Sequence, residues 1–167
     1  RRSALVDSSN GNLNQPSVLV LNGARPEDEG LTKLMETVSN CSYATVAAPR
    51  ELDGFMESLQ KELELRLNDP QVQHPTKLIC IANLSRFREL RKGDEFAYGD
   101  DSGSSKPDAI LANLLKDGAG VGLFVWLWAD TAGTLSRWLS RQSIRDGELR
   151  VLMQMSANDS NQLIDSN

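Results

Sequence analysis

The sequence predicts an α/β domain with a mainly parallel sheet of about five strands and flanking helices. Short apolar segments alternate with longer segments in which apolar residues recur at helical spacing, and this alternation is typical of parallel α/β folds. The longest apolar run, residues 121–128, lies between glycines and Asp130-Thr131, as expected of a strand buried on both faces of a sheet.

Length and composition indicate one domain with a substantial core. The chain has 167 residues, of which 40% are hydrophobic and 25% are charged. We expect residues 1–16, which are rich in Asn and Ser, to form a linker or frayed start, and residues 17–167 to form the single domain. Because the chain begins with Arg1 and not with Met, we expect it to be a piece of a longer parent protein.

The charge balance bears on the class of partner. A net charge of -5 and a pI of about 4.9 argue against a stand-alone nucleic-acid-binding protein, which usually carries an excess of Lys and Arg. No apolar run is long enough to span a membrane, and no signal peptide is visible. We expect Cys41 and Cys80 to be free, buried thiols. These features predict a cytoplasmic protein without direct membrane contact, tethered to a membrane only through its parent chain, if at all.

In the first half of the chain, apolar spacing predicts three strands and two helices. The clearest helix covers residues 51–67, with an apolar stripe that ends at Leu67 and a charged face that includes Glu62 and Arg66. In chain order, the predicted elements are a strand at residues 17–22, a helix that begins at residues 26–29, a strand at 43–47, the helix at 51–67 and a strand at 77–82.

The second half is predicted to end in two strands joined by a helix, which would form a right-handed parallel crossover. A polar string follows the last strand, at the carboxyl edge where open α/β sheets bind ligands. The predicted elements are a short basic helix at residues 84–91, an acidic Gly/Ser-rich loop at 92–106, a helix at 107–116, a strand at 121–128, a helix bearing three arginines, a strand at 149–155 and the polar string at 156–160.

Several catalytic motifs are missing from the sequence. A phosphate-binding loop (Walker A) needs glycines followed by Lys and Ser or Thr, and no Gly-Lys pair occurs. The glycine-dense residues 118–122 precede a strand, which indicates a tight helix-to-strand turn and not a dinucleotide-binding loop. His74 is the single histidine, so neither a zinc site nor a catalytic triad is supported. We expect no catalytic residue and no resident metal in this chain.

Acidic residues near the last two predicted strands have two interpretations. Asp130 follows a strand, where a carboxylate suits a ligand, but Asp130-Thr131 is also ordinary helix-capping chemistry. Asp159 and Asp165 could orient a partner group or a metal-bound water. Alternatively, Asp159 favours by its charge a terminal helix that starts at Ser156 or Asn158.

Two clusters of basic residues stand out in an acidic chain. One follows the third predicted strand, and the other consists of three arginines spaced four apart, hence on one face of a helix. Each cluster is either a solvated face or a contact for phosphate groups, which suit the planar fork of Arg. The clusters are Arg86, Arg88, Arg91 and Lys92 and, later in the chain, Arg137, Arg141 and Arg145.

The C-terminal part resembles the end of the motor domain of FtsK/SpoIIIE-type DNA translocases. In that family a Gly-hydrophobic strand and a helix precede an Arg-hydrophobic-Gln-hydrophobic-Ser strand, an Asp-Ser pair and a Leu-Asp pair. Here residues 120–131 and 150–160 follow that order, and residues 163–165 end it. The matching positions are Gln154, Ser156, Asp159, Ser160 and Asp165.

Upstream the resemblance rests on order and spacing. It implies a RecA-like fold of the P-loop NTPase type, with Walker A located before Arg1. Residues 77–83 fall on the Walker B strand, where the family places an Asp for magnesium and a Glu that polarises water. This chain has Ala82 and Asn83 there, a degenerate Walker B. The resemblance therefore implies a fragment without autonomous ATPase activity, in which ATP and Mg²⁺ belong to the full-length parent and no cofactor is expected for the fragment itself.

We hypothesise nucleotide binding at Asp130, which follows a strand, and at the family-matching positions Gln154, Ser156, Asp159 and Ser160, all lying along one edge of the sheet. We also hypothesise that Arg137, Arg141 and Arg145 contact the phosphates of a nucleotide on a neighbouring subunit. The implied partners are the remainder of the parent chain, further copies in a hexameric ring, and DNA, moved during cell division and chromosome segregation.

Two alternatives remain at this point. The loss of both Walker B acids at Ala82 and Asn83 favours a degenerate protein–protein interaction or scaffold module that keeps the fold. A small-molecule α/β enzyme would place its site at Asp130 and Asp159.

Overall fold

A computed structural model places a four-stranded, all-parallel sheet at the centre of the fold, in the order β2-β1-β3-β4. It describes residues 17–69, 71–93, 106–147 and 149–164. All three strand pairs are parallel, with Val18 opposite Ala44, Ser17 opposite Lys77 and Lys77 opposite Leu123. The strands are β1 (Ser17–Asn22), β2 (Ala44–Ala47), β3 (Lys77–Ala82) and β4 (Leu123–Leu127). The predicted α/β class is confirmed, although the sheet has four strands.

Helices pack on both faces of the sheet, as is usual for a parallel sheet, but they cover the second face only in part. The described helices are α1 (Glu29–Ser39), α2 (Leu52–Asn68), α3 (Pro107–Asp117), α4 (Ala132–Trp138), α5 (Arg141–Asp146) and α6 (Ala157–Ile164). The predicted helices at residues 51–67 and 107–116 correspond to α2 and α3, which pack against each other. In the described part of the chain, no helix combines the length and apolar character needed to cross a membrane.

The main core lies on the face that α2 and α3 cover. Alternate residues of the strands point into it, because side chains of a strand alternate between the two faces of a sheet. Leu21, Ile79, Ile81 and Leu123 are at most 1% exposed. The fully buried side chains that meet them from the helices and the following turns are Met56, Leu59, Leu84, Leu90, Ile110 and Leu111.

The opposite face is covered over only half its width. Helix α1 lays Met35 against Val20 of β1, in a small cluster that also includes Ala82. Beyond it, the side chains of β4 on this face are open to solvent: Phe124 is 46% exposed and Trp126 63%. The sequence predicted burial on both faces for residues 121–128, and that prediction is wrong for this face because no described helix covers β4 there.

The predicted fifth strand at residues 149–155 is wrong, and so is the crossover that it would complete. These residues have no regular secondary structure. Arg150 donates hydrogen bonds to the carbonyl oxygens of Ile144, Gly147 and Leu163, which fasten the segment to α5 and α6. The period-two apolar pattern was real, but a strand also needs a neighbouring edge to pair with.

The predicted single helix bearing Arg137, Arg141 and Arg145 is in fact two helices. The chain turns to extended conformation at Leu139 and Ser140, and α5 starts afresh with Ser140 as its cap. The Ser140 hydroxyl accepts a hydrogen bond from the Ser143 amide at 3.0 Å. Because Ser competes for backbone donors in this way, it ends one helix and starts the next.

The basic segment at residues 84–91 also departs from the predicted helix. It forms two 3₁₀ turns, at Leu84–Arg86 and Arg88–Leu90, separated by Phe87. Phe87 is 1% exposed, so burial of its ring interrupts the helical path. By contrast, the predicted glycine turn at residues 118–122 is confirmed, because Gly122 adopts a φ of 80° where β4 begins. Residues 1–16, most of the predicted loop at 92–106 and Asp165 lie outside the described residues.

Candidate functional site at the carboxyl edge of the sheet

The carboxyl ends of three parallel strands bring Asn22, Asn83 and Asp130 to one edge of the sheet. Asn22 pairs in register with Ala82, the residue before Asn83. The ladder between β3 and β4 continues past the strands, because the Leu84 amide donates to the Trp128 carbonyl at 2.8 Å. This edge is where open α/β sheets bind ligands, and the sequence predicted two of these three positions.

Gly23 sets how closely the strand ends approach each other. A Cβ at this position would lie 2.2 Å from the carbonyl oxygen of Ala82 and 2.9 Å from that of Asn83. It would also lie 2.9 Å from Cε2 of the Phe87 ring. The two carbonyl oxygens are backbone atoms, which cannot move aside independently of β3, so the ends of β1 and β3 lie too close together for a side chain at position 23.

The end of β3 carries no group able to act as an acid or a base. Ala82 is 8% exposed, and Asn83 is 5% exposed with a left-handed φ of 62°. The Asn83 Oδ1 atom accepts a hydrogen bond from the Ser85 hydroxyl at 2.6 Å. A side chain that is buried and bonded in this way holds the turn after β3 in place. A carboxamide also cannot take up a proton at neutral pH.

Asp130 is the one carboxylate among these strand ends. It is exposed, and the helix that follows is capped by its neighbour: the Thr131 hydroxyl accepts from the Thr134 amide at 3.0 Å. Capping of α4 thus falls to Thr131, and Asp130 makes no hydrogen bond or ion pair with any described residue. Its charge is available to solvent or to a ligand at this edge.

Gln154, Ser156, Asp159 and Ser160 lie outside the sheet. Gln154 is exposed in the irregular segment before α6. The Ser156 hydroxyl accepts from the Asp159 amide at 3.1 Å and donates to the Asp159 carboxylate at 2.8 Å. This reciprocal pair caps the first turn of α6, which is the capping alternative of the sequence analysis. The expectation that these residues line one sheet edge depended on a fifth strand and fails with it.

The three arginines of the second basic cluster are exposed but divided between two helices. Arg137 lies in the last turn of α4, whereas Arg141 begins α5 and Arg145 lies in its last turn. None of the three forms an ion pair within the described part of the chain. Arg86, Arg88 and Arg91 are exposed as well, on the turns after β3.

Two cavities, each with a volume of about 190 Å³, lie among the described residues. One is lined by Asp108 and Trp138, among others. The other lies at the amino edge beside Arg66, His74 and Gly122, where the His74 Nε2 atom is buried without a hydrogen-bond partner. Among the described residues, no cluster of His, Cys, Asp and Glu is arranged to hold a metal ion.

Sequence reasoning missed two residues that shape the fold around the site. Asn22 accepts a hydrogen bond from the Ala24 amide at 2.9 Å and so shapes the turn after β1. Its position directly after an apolar strand was the available signal. Arg66 was assigned to the charged face of its helix but is 1% exposed. Its spacing of three residues from Leu63 puts it on the apolar side.

Comparisons with known proteins give a weak structural similarity and no sequence match. No protein-family model matches the sequence, and no curated protein is significantly similar to it. Among solved structures, the chain is similar to EssC (ATPases 2 and 3) from Geobacillus thermodenitrificans, with a TM-score of 0.44 and 8% sequence identity. The similarity covers 80% of this chain and 24% of the EssC chain, so this chain spans about a quarter of the length of that structure.

Proposed function

We propose that this chain is a non-hydrolysing α/β module of an FtsK/SpoIIIE-like, ATP-binding DNA translocase. The observation that carries the proposal is the set of residues at the carboxyl edge of the sheet. Asp130, after β4, is an exposed carboxylate, whereas the ends of β1 and β3 carry no acidic residue. The sequence resemblance at residues 120–131 and 150–160 supplies the family. The parallel order of β1, β3 and β4 agrees with a sheet of the P-loop NTPase type.

The residues at the end of β3 support the proposal that the module does not hydrolyse ATP on its own. Phosphoryl transfer needs groups that hold Mg²⁺ and orient the attacking water. Ala82 offers no ligand atom, and Asn83 is buried with its side-chain oxygen bonded to Ser85. The sequence also holds no Gly-Lys pair for a phosphate-binding loop. In this proposal, ATP and Mg²⁺ bind to the remainder of the parent chain, and this module borders that site.

Asp130 and the exposed arginines are the residues proposed to act in that setting. At the sheet edge, Asp130 would position a group of the neighbouring nucleotide site. Arg141 begins α5 and is exposed without an ion pair among the described residues, so it suits contact with a phosphate on an adjacent subunit. Assembly into a hexameric ring around DNA, within the cytoplasm, belongs to the same proposal.

The test uses the full-length parent protein and measures ATP turnover together with assembly state. We expect Arg141→Ala to lower ATP turnover at least about tenfold when the subunits are assembled, because a phosphate-contacting arginine contributes strongly to such reactions. Arg50→Ala is the matched control, since Arg50 is exposed in the turn before α2. Unchanged turnover and unchanged assembly for Arg141→Ala would rule that residue out.

A second variant tests the sheet edge through the affinity of the parent protein for ATP. We expect Asp130→Asn to weaken ATP binding by the parent, whereas Asp53→Asn, an exposed change in the first turn of α2, leaves it unchanged. The isolated chain is expected to release no phosphate from ATP. Hydrolysis by the isolated chain would contradict the assignment of the catalytic groups to the rest of the parent.

A scaffold module is the second candidate, and the exposed aromatic side chains of β4 favour it. Phe124, Trp126 and Trp128 form an apolar surface of a kind that marks protein–protein contacts. The parent sequence distinguishes the two functions. A GxxxxGK[ST] motif a few dozen residues upstream of Arg1 supports the motor, and a parent without one supports the scaffold.

A further inference from the structure

The outer edge of β4 lacks the devices that normally protect an edge strand. β4 is an end strand of the described sheet, and its sequence, LFVWL, contains no charged residue and no proline. Natural edge strands are usually very short, charged or interrupted, because an open row of backbone groups pairs readily with another chain. β2, at the other edge, is only four residues long and is followed closely by Pro49.

A second unpaired apolar surface lies further along the same chain. In residues 149–155 the apolar side chains recur at alternate positions, and Val151 is 77% exposed and Met153 79%. No hydrogen bond joins residues 151–155 to the other described residues. Arg150, immediately before them, is fastened to the carbonyl oxygens of Ile144 and Leu163. The segment is therefore anchored at Arg150, and residues 151–155 beyond it form no hydrogen bond with the other described residues.

We propose that two copies of this chain associate by exchange of residues 151–155, each copy adding that segment to the open edge of β4 in the other. Five residues match the five residues of β4. With Val151 and Met153 on the same face as Trp126, the added strand forms apolar cross-strand pairs, which are the unit of sheet stabilisation. The contact is reciprocal, so each copy contributes one edge and one segment.

The exposed area is sufficient for a specific dimer. The six apolar side chains, at their observed exposures, offer on the order of 700 Å² per copy, and two copies reach roughly the 1,200–2,000 Å² of a standard interface. Formation of this dimer breaks no described hydrogen bond of residues 151–155. The six are Phe124, Trp126, Trp128, Val151, Met153 and Met155.

The pairing is proposed between copies because the single chain leaves both surfaces unpaired. A symmetric contact of β4 with β4 would bury the aromatic row but leave Val151 and Met153 exposed. A strand supplied by another protein would leave the isolated chain monomeric. The exchange covers the edge of β4 and residues 151–155 in the same contact. An experiment can therefore test whether each of the two is needed for association. It holds whether or not the chain takes part in ATP chemistry.

The experiment measures the molar mass of the purified chain across a range of concentrations by chromatography with light scattering. We expect a concentration-dependent dimer for the unaltered chain. Trp126→Lys and Met153→Lys should each raise the dimer dissociation constant at least about 30-fold, as for loss of a central apolar anchor. Leu34→Lys is the control, because Leu34 is an exposed apolar residue of α1, 52% exposed, outside both surfaces.

Mixing the two variants tests reciprocity. Trp126→Lys keeps an intact segment and Met153→Lys keeps an intact edge, so an equimolar mixture should regain association through one of the two contacts. A mixture that stays monomeric, or a Met153→Lys variant that dimerises as strongly as the unaltered chain, overturns the exchange. So does an unaltered chain that is monomeric at every concentration, which would assign the edge to another protein.

Amide hydrogen exchange gives a readout that needs no variant. Backbone amides of residues 151–155 are unbonded in the single chain and should gain protection as the concentration of the unaltered chain rises. Amides in α1 serve as the internal reference and should show no such dependence. Equal, rapid exchange of residues 151–155 at low and high concentration would overturn the proposal even if a Trp126→Lys variant failed to fold.

Discussion

Glu62 and Arg66, one turn apart on α2, form an ion pair that closes the amino edge of the sheet. The Arg66 Nη2 atom lies 2.6 Å from Glu62 Oε1. The same guanidinium donates to the carbonyl oxygens of Val121 and Pro75, both at 2.9 Å. The second oxygen of Glu62 pairs with Lys77 at 2.5 Å, at the start of β3. Side chains of α2 thus bind the segments at which β3 and β4 begin.

The first prediction concerns the loss of this guanidinium. Arg66→Met keeps much of the side-chain volume but removes the donor to the carbonyls of Val121 and Pro75 and leaves Glu62 paired with Lys77 alone. We expect the free energy of unfolding to fall by about 3 kcal/mol, as for breaking a buried charged pair. Urea titration measures it. Lys61→Met, an exposed change on the same helix, should cost far less, and equal losses for the two variants would contradict the structural role of Arg66.

At Arg66 the sequence did not correctly predict where the buried face of α2 ends. The predicted apolar stripe of this helix ended at Leu67, but Leu67 is 46% exposed and Arg66 is 1% exposed. Helical spacing allows either residue to face the core near the end of a helix. The choice was decided by Glu62 and by two backbone carbonyls from distant parts of the chain, which no local pattern contains.

The second prediction concerns the close approach of β1 and β3. Gly23→Ala would place a methyl group 2.2 Å from the Ala82 carbonyl oxygen. We expect a loss of about 3 kcal/mol or more in the free energy of unfolding, because the nearest atom is a main-chain oxygen that cannot yield without displacement of β3. The displacement should also alter the site edge at Asn83. Thermal or urea unfolding measures the effect.

Gly54→Ala is the matched control for that variant. Gly54 lies in α2 with no atom within 4 Å of an added Cβ, so Ala should raise the stability by about 0.5–1 kcal/mol through its higher helix propensity. The two Gly→Ala changes are therefore expected to have opposite signs. A stabilising effect of Gly23→Ala would refute the close approach of these strand ends.

Local pattern predicted β1 and β3 to the residue, whereas non-local pairing decided the rest of the sheet. Residues 17–22 and 77–82 are short apolar runs bounded by turn residues, and both strands pair on both sides. Residues 149–155 carry an equally regular pattern but find no neighbouring edge. Because strand formation depends on a partner far away in the chain, the pattern could not distinguish a strand from an unpaired segment.

The candidate site was predicted only where it depends on strand ends. Asn83 directly follows β3 and Asp130 lies three residues after the end of β4, so their placement at one edge required only the strands themselves. Gln154 and Ser156 were expected at the same edge, but that expectation required the fifth strand. The Ser156 and Asp159 side chains cap α6, a local role that the sequence offered as an alternative.

The third prediction separates capping from ligand binding at Ser156. Ser156→Ala removes the acceptor for the Asp159 amide, which should destabilise α6 by about 1 kcal/mol and speed amide exchange there about fivefold. Ser156→Asn is the control, because Asn is an equally good helix cap, adds no charge beside the Asp159 carboxylate and should keep the protection of α6. If Ser156→Asn frays the helix as much as Ser156→Ala does, the hydroxyl has a role other than capping.

The fourth prediction concerns the thiol of Cys80, which lies on β3 opposite Trp126. Partial burial raises the pKa of Cys80 above its usual range, because burial penalises the thiolate. In a Cys41→Ser background, we expect iodoacetamide to label Cys80 more slowly in the folded protein than in urea. The ratio of the two labelling rates should be largest below the ordinary thiol pKa and should shrink as the pH rises through the folded pKa.

The same shift fixes the sign of a stability effect. Since the folded-state pKa of Cys80 is raised, its contribution is fully present below the unfolded pKa and is lost as the pH rises through the folded pKa. The unfolding free energy should therefore decline with alkaline pH more steeply in the Cys41→Ser protein than in one that also carries Cys80→Ala. Parallel pH profiles for these two proteins would show that the thiol of Cys80 ionises as readily in the folded chain as in the unfolded one.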